Sequence, residues 1–219
     1  MKKSLFFCIL LTVVGCIALF SCKKEGSIDP QKFTVTAIVK NGIGGEITPS
    51  VVEVTLGSGA TFNFHEAPGY KKPESILVNG NKVLLSSSNY TLSKVETNST
   101  IEAEFPITPL GILMQKPWKL VKNEKRNIGE EWNNDPLRDE EIITFGANSK
   151  YQLKSKGVLV GDGVYSLSYD NMSLTIGGSD YKIVVLSQDT LEVTYRIRYI
   201  ANGVYDPTKD LEGKDTYTH

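Results

Sequence analysis

Two clusters of acidic residues are the first places in this 219-residue chain where chemistry could occur. Glu130 is followed by Glu131, and Asp139 by Glu140 and Glu141. Paired carboxylates can hydrolyse glycosides when they lie about 5–10 Å apart and the pKa of one of them is raised. Adjacent acids in a polar segment provide neither fixed spacing nor burial. We therefore interpret both clusters as solvated side chains.

The two histidines, His65 and His219, do not indicate catalysis either. A serine hydrolase of the elbow type needs a Gly-x-Ser-x-Gly motif, which the sequence lacks. No glycine-rich phosphate loop leads from a strand into a helix. His65 and Glu66 would supply two ligands, whereas a structural zinc site needs four. We predict a protein that is not an enzyme and has no metal or cofactor.

Three residues in polar segments are candidates for ligand binding. Trp132 could stack on a sugar ring or an apolar ligand, and Arg126 lies in the same segment, residues 123–140. Tyr205 lies in a second long segment, residues 200–214. Long connections in compact β domains are often functional. We expect both segments at the open mouth of a barrel; the alternative is that Trp132 packs back onto the protein.

Residues 110–219 contain the strands that would position these side chains. The clearest strand alternates apolar with polar residues: Leu191, Val193, Tyr195, Ile197 and Tyr199 against Glu192, Thr194, Arg196 and Arg198. Such alternation indicates one buried and one solvated face. Seven strands at hairpin spacing, with an eighth near residues 216–218, predict a meander closed into a barrel.

The interior of this barrel is the second predicted location for a ligand. Tyr165 and Tyr195 are candidates to contact it, because both are expected on the inner face. An eight-stranded barrel can be filled by side chains or can hold one small ligand. A hollow barrel would favour binding of a small lipophilic or glycan molecule. A filled barrel would favour the alternative, a surface interaction, adhesion or scaffold protein.

Residues 32–105 form a predicted separate β domain. Asn79-Gly80 between apolar runs is a strong hairpin signal, because both central residues of the tight turn need positive φ. Pro106 and Pro109 lack an N–H and restrict the preceding residues, so we place the domain boundary there. The chain is thus expected to be mainly β throughout.

Several short motifs follow one another along this first domain in a characteristic order. They are Gly44-Gly45, Thr48-Pro49, Gly57-Ser58, Phe62 and Phe64, Gly69-Tyr70, Val78-Asn79-Gly80, Tyr90-Thr91-Leu92, and the ending Ile101, Ala103 and Phe105. This order resembles the divergent internalin-type B repeat, also called the Flg_new-like bacterial repeat. The resemblance implies a small β-rich module with a grasp-like fold that acts as a spacer or interaction module.

The second domain carries its own set of motifs. They are Leu113, Trp118-Lys119-Leu120, Ile143-Thr144-Phe145, Tyr151, Gly163 to Leu167, Leu174-Thr175-Ile176, Tyr181-Lys182-Ile183 and Asp189 to Val193. The pattern is similar to that of small bacterial lipocalin-like domains that follow lipoprotein signals. It implies an up-and-down lipocalin-like β-barrel of about eight strands, in which we interpret Trp118 as a structural plug.

The N-terminus has the anatomy of a secretory leader. Lys2 and Lys3 precede an apolar run over residues 5–20, shorter than the ~20 apolar residues of a transmembrane helix. Leu19-Phe20-Ser21 stands directly before Cys22, which resembles a bacterial lipoprotein signal. The resemblance implies cleavage after residue 21, a lipid with acyl chains such as palmitate on Cys22, and a tether over residues 22–31.

Composition is consistent with an anchored envelope protein. Cys8, Cys16 and Cys22 are the three cysteines, so cleavage leaves no pair for a disulfide. The net charge is −1 and there is no basic stripe, so we expect no nucleic-acid partner. The expected partners are the membrane through Cys22, a small ligand and an envelope protein. The expected location is the bacterial cell envelope, at the outer membrane, facing the periplasm or the surface.

Replacing the anchoring cysteine tests this interpretation. We expect Cys22→Ser to abolish labelling with radioactive palmitate and to release the protein from the membrane fraction, because stable anchoring needs about two acyl chains. Cys16→Ser is the matched control, since Cys16 follows a rival signal, Val13-Val14-Gly15. If Cys16→Ser abolishes labelling and Cys22→Ser does not, the anchor is at Cys16.

Overall fold

The computed structural model describes residues 29–219 of the chain. The predicted signal peptide, Cys22 and the tether as far as residue 28 lie outside the described residues. Phe33–His219 forms one compact unit, and its structure is mainly β. Within residues 29–219, no helix has both the length and the apolar character needed to cross a membrane.

Eight strands and a short 3₁₀ helix, Lys40–Gly42, build the first half of the unit. The strands are β1 Lys32–Val39, β2 Gly45–Thr48, β3 Val51–Thr55, β4 Ala60–Glu66, β5 Ser75–Val78, β6 Asn81–Leu84, β7 Asn89–Leu92 and β8 Ser99–Ala103. They form a five-stranded sheet in the order β3-β1-β8-β5-β6 and a three-stranded sheet in the order β2-β4-β7. β1 and β8 pair in parallel.

The alternating apolar residues of these strands form one core. Val35, Phe62, Phe64, Ile76 and Ile101 are among its buried members. The predicted hairpin at residues 79–80 is confirmed, because β5 and β6 pair on either side of it and both residues have positive φ.

A closed antiparallel barrel of eight strands forms the second half. Its strands are β9 Trp118–Asn127, β11 Glu141–Phe145, β12 Lys150–Ser155, β13 Val158–Leu167, β14 Ser173–Ile176, β15 Ser179–Leu186, β16 Thr190–Ile197 and β19 Leu211–Thr218. Sequential neighbours pair around the barrel, and β19 closes it by pairing with both β16 and β9. The predicted meander of about eight strands is confirmed.

Three short strands and a 3₁₀ helix lie in the connections at one end of the barrel, which we call the mouth. They are β10 Asn133–Asn134, β17 Ile200–Ala201, β18 Val204–Tyr205 and the helix Pro207–Lys209. β10 pairs with the edge of β9, and β17 pairs with β18. The two long segments of the sequence analysis, residues 123–140 and 200–214, extend into the connections that follow β9 and β16. Both connections leave the barrel at the same end, because β9 and β16 run in the same direction.

The clearest predicted strand ends earlier in the structure than its alternation indicates. β16 ends at Ile197, so Ile197 and Tyr199 are 37% and 42% exposed and do not continue its buried face. The inner alternation of β16 therefore ends at Tyr195, where the chain leaves the barrel wall.

The opposite end, the base, is closed by a helix and a tryptophan. The helix α1, Pro109–Met114, starts at Thr108, whose side chain accepts a hydrogen bond from the Gly111 N–H. Trp118 at the start of β9 is 0% exposed, and its Nε1 donates to the Leu113 carbonyl oxygen at 2.9 Å. The ring of His219 lies 3.8 Å from that of Trp118. Trp118 thus fills the base of the barrel.

The two tryptophans of the chain provide a test of this packing. We expect Trp118→Ala to lower the free energy of unfolding by about 3–5 kcal/mol, because it opens a cavity in the buried base. Trp132→Ala, at a half-buried site, should cost about 1 kcal/mol. Urea unfolding followed by far-ultraviolet circular dichroism gives both values. Equal losses would contradict the assignment of Trp118 as the plug.

Candidate site inside the barrel

The barrel interior contains a cavity of about 240 Å³. Apolar side chains make most of its wall: Ile143, Phe145, Leu153, Leu174, Ile176, Leu191 and Val193. Three tyrosines, three charged residues and two small residues complete it: Tyr151, Tyr181, Tyr217, Arg138, Glu141, Asp215, Gly177 and Ser179. The charged residues Arg138 and Glu141 come from the mouth end, at the connection into β11. The cavity therefore has two charged side chains at its mouth end.

Asp215 on β19 is the most deeply buried charge near the cavity, with 1% of its surface exposed. Four side chains donate to its carboxylate. The Asn123 amide and the Tyr195 hydroxyl donate to Oδ1, the latter at 3.3 Å. The Arg138 guanidinium and the Tyr217 hydroxyl donate to Oδ2, the latter at 3.3 Å. Each carboxylate oxygen thus has two donors, which compensate for the loss of water.

A glycine makes room for one of these donors. Gly213 on β19 pairs directly with Tyr195 on β16. A Cβ at Gly213 would lie 2.5 Å from the ring of Tyr195. The ring therefore lies across the bare backbone of β19 and reaches Asp215 two residues further on. Any larger residue at position 213 would move the tyrosine away from the carboxylate.

Arg138 joins the connection between β9 and β11 to the buried carboxylate. Its second partner is Glu141 at the start of β11, with 3.5 Å between Arg138 Nε and Glu141 Oε2. Although burial acts against its charge, the pKa of Arg138 is raised, because Asp215 and Glu141 both favour the cation. The three side chains together carry one positive and two negative charges.

Burial also changes the acidity of other groups in and beside the cavity. It raises the pKa of Glu141, against the opposing effect of Arg138. Burial and the Asp215 charge raise the pKa of Tyr195 to about 12 and that of Tyr217 well above its ordinary value. The pKa of Tyr181 is raised for the same two reasons. These phenols stay neutral at physiological pH and can donate hydrogen bonds.

The two tyrosines that sequence analysis selected have different environments. Tyr195 contacts Asp215 and packs edge-on against Tyr181, with 5.3 Å between the ring centroids. Tyr165 packs against Phe145 at the base, and its hydroxyl donates to the Gly146 carbonyl oxygen at 2.9 Å. Neither tyrosine is among the residues that line the cavity. The Tyr165 hydroxyl is occupied by a structural bond, so the structure gives Tyr165 a packing role.

Trp132 and Arg126 lie on the outside of the barrel wall instead of in the mouth. The Arg126 guanidinium lies 4.3 Å from the centre of the Trp132 ring, and Lys214 Nζ lies 4.7 Å from it. Lys214 precedes the inward-facing Asp215, so it projects outwards, since successive strand residues face opposite sides. Arg126 pairs across the strands with Glu212, also on the outer side.

The reason for this placement is the pairing of β10 with β9. Asn133 lies opposite Lys125, so the chain continues with Trp132 beside Arg126. Trp132 therefore packs back onto the barrel, which was the alternative interpretation of this residue. Neither Trp132 nor Arg126 lines the cavity.

Tyr205 lies on β18 near the mouth, but it too belongs to a local structural cluster. Its hydroxyl donates to Asp210 Oδ2 at 2.6 Å, and Arg196 Nε donates to the same oxygen at 2.6 Å. The Tyr199 N–H donates to Asp210 Oδ1. Tyr205, the Tyr199 N–H and Arg196 lower the pKa of Asp210, although burial opposes them. The cluster holds the hairpin of β17 and β18 against β19.

Sequence analysis missed Arg138, Asp215 and the functional position of Glu141. Arg138 and Asp215 are separated by 77 positions, so no local spacing connects them. One signal was available for Asp215: it is an acidic residue on the apolar side of the alternation that ends in Tyr217. Glu141 was interpreted only as the last of three solvated acids.

The fold and the site together define a class: a closed antiparallel β-barrel with a small cavity and a buried carboxylate. The chain matches no protein-family model and no curated protein. The resemblances to the internalin-type repeat and to lipocalin-like domains therefore stay predictions.

Within residues 29–219, no group of three or more histidine, cysteine or acidic side chains is placed to hold a metal ion.

Alkaline titration tests the contact between Tyr195 and Asp215. We expect Asp215→Asn to lower the pKa of Tyr195 from about 12, because the raising effect of the carboxylate is lost while burial remains. The ultraviolet absorbance of tyrosinate, followed as the pH rises, measures this pKa. Adding Tyr195→Phe to the unaltered protein and to Asp215→Asn identifies the part of the absorbance that comes from Tyr195. An unchanged pKa in Asp215→Asn would contradict the coupling.

The same pKa predicts a dependence of stability on pH. The folded-state pKa of Tyr195, about 12, lies above the ordinary value of about 10. The contribution of the neutral phenol is therefore complete below about pH 10 and is lost as the pH rises towards 12. Arg138 and Asn123, which also face this phenol, are protonated or neutral throughout this range.

Proposed function

We propose that this protein is a cell-envelope lipoprotein whose barrel binds a small ligand in its interior. The observation that carries the proposal is the cavity between the filled base and the mouth. Trp118 and α1 close the base, but the space above Phe145 and Leu174 is not filled by side chains. Small cavities with an apolar wall and a few convergent polar groups are typical of ligand sites.

The size and lining of the cavity indicate a small amphipathic ligand. A volume of about 240 Å³ corresponds to roughly eight water-sized groups at ~30 Å³ each. The apolar wall formed by β11, β12, β14 and β16 suits a hydrocarbon or ring, and the phenols suit hydroxyl or amide groups. A small lipophilic molecule or a single sugar unit with an apolar substituent fits this description.

Binding without catalysis is the function that the polar groups support. A catalytic carboxylate needs a free oxygen with which to attack or to take a proton. In Asp215 both oxygens already accept two hydrogen bonds each. Asp215 is therefore not available as the acidic partner that Glu141 would need for glycoside hydrolysis.

The N-terminal features supply the cellular setting of the proposal. A lipid on Cys22 would anchor the chain to the outer membrane, facing the periplasm or the surface. The domain of β1 to β8 would then be a spacer or interaction module between the anchor and the barrel. An envelope protein that receives or delivers the ligand is the expected macromolecular partner.

Native mass spectrometry of the full-length protein, purified gently from its original host, tests ligand binding. We expect a discrete additional mass on the unaltered protein. Ile176→Trp should remove that mass, because Ile176 lines the cavity and the larger side chain fills it. Val164→Trp, on the neighbouring strand with the side chain 64% exposed, should retain it.

Two outcomes contradict the proposal. One is a protein without any additional mass that also takes up nothing from envelope extracts. The other is a bound species that survives in Ile176→Trp, which would locate it outside the cavity. In either case the surface interaction or scaffold function becomes the better explanation, and crosslinking to envelope proteins is the next measurement.

A further inference from the structure

Glu141 is the carboxylate in the cavity whose hydrogen-bonding capacity is least used. Its side chain is 15% exposed and lines the cavity near the mouth. Within residues 29–219 its polar side-chain contact is Arg138 Nε, at 3.5 Å, which is longer than a good hydrogen bond. An ionised carboxylate can accept about four hydrogen bonds. Glu141 therefore has unused acceptor positions facing the cavity.

Arg138, the cation of the cavity, is already engaged. Its terminal nitrogen donates to the buried Asp215, and its Nε lies nearest to Glu141. Other N–H groups of Arg138 could still donate, but a ligand carboxylate that bound them would lie close to two carboxylates of the same sign. The cavity thus disfavours an anionic ligand.

We propose that the cavity selects a small amphiphile with a cationic amine head group, and that Glu141 is its counter-ion. This inference rests on the proposed binding function and names the class of ligand. The ammonium group completes the charge balance of Arg138, Glu141 and Asp215, which are otherwise one positive and two negative groups. Its N–H groups donate to the unused Glu141 oxygens, while the hydrocarbon lies against Ile143, Leu153 and Ile176.

The position of Glu141 sets the orientation of the ligand. Glu141 begins β11, whose inward residues continue with Ile143 and then Phe145 towards the base. An amine at Glu141 therefore directs the apolar part of the ligand down the barrel towards Leu174. The head group stays near the mouth, beside the partly exposed Arg138.

A series of ligands with one chain length tests the charge preference. Isothermal titration of the full-length protein in detergent at neutral pH compares hexylamine, hexan-1-ol and hexanoate, and the amine is protonated there. We expect hexylamine to bind about tenfold or more tightly than hexanol, because a charged hydrogen bond is stronger than a neutral one. Hexanoate should bind most weakly. In Ile176→Trp the larger side chain fills the cavity, so the signal from this variant measures the ligand that the detergent takes up by itself.

Two variants locate the effect at Glu141. Glu141→Gln keeps the shape and should weaken hexylamine binding about tenfold or more while changing hexanol binding by about threefold at most. Glu140→Gln removes the exposed neighbouring charge and should leave both unchanged. Should Glu141→Gln fail to fold, the ligand series on the unaltered protein still decides the preference.

The outcomes separate this inference from the proposed function. If hexanol binds in the cavity and hexylamine binds no more tightly, or if hexanoate binds best, the amine preference is wrong and ligand binding stands. If no ligand binds better to the unaltered protein than to Ile176→Trp, the amine preference fails, and the search for a native ligand decides the function. Equal weakening of hexylamine and hexanol by Glu141→Gln would also overturn the role of Glu141.

Discussion

The buried carboxylate of Asp215 is the interaction on which the barrel interior depends. Taking an unpaired ion out of water costs several kcal/mol, so Asp215 can be buried only with its donors in place. These come from β9, β16, β19 and the connection before β11. β19 is the strand that closes the barrel against β9. The hydrogen bonds of one side chain therefore hold the closing seam and the segment that contributes Arg138.

The requirements of Asp215 also determine the packing around it. The missing side chain at Gly213 makes room for the Tyr195 ring, whose hydroxyl then reaches the carboxylate. A core of aliphatic residues could have filled the same volume with a comparable or greater stability. Retaining a charge with its four donors instead favours one specific geometry, and the cavity lies beside this group.

Sequence analysis predicted what depends on local periodicity. The alternation of Leu191, Val193 and Tyr195 identified an inner face, because burial on one side of a strand imposes period two. The interpretation of Trp118 as a plug came instead from the resemblance to lipocalin-like domains. The site could not be predicted in the same way, because Arg138 reaches Asp215 only after the barrel has closed. The pairing of β10 with β9, which carries Trp132 outwards, also has no local signal.

As a result of these placements, the two ends of the barrel interior differ in their exposure to solvent. Trp118, Leu113 and Phe145 are buried and close the base. Arg138 is 45% exposed at the side chain, so the charged end of the cavity keeps contact with solvent. A ligand that enters through the mouth can keep its polar group hydrated until it reaches Glu141. Under the proposed binding function, a ligand would enter at this end, past the segment that carries Arg138.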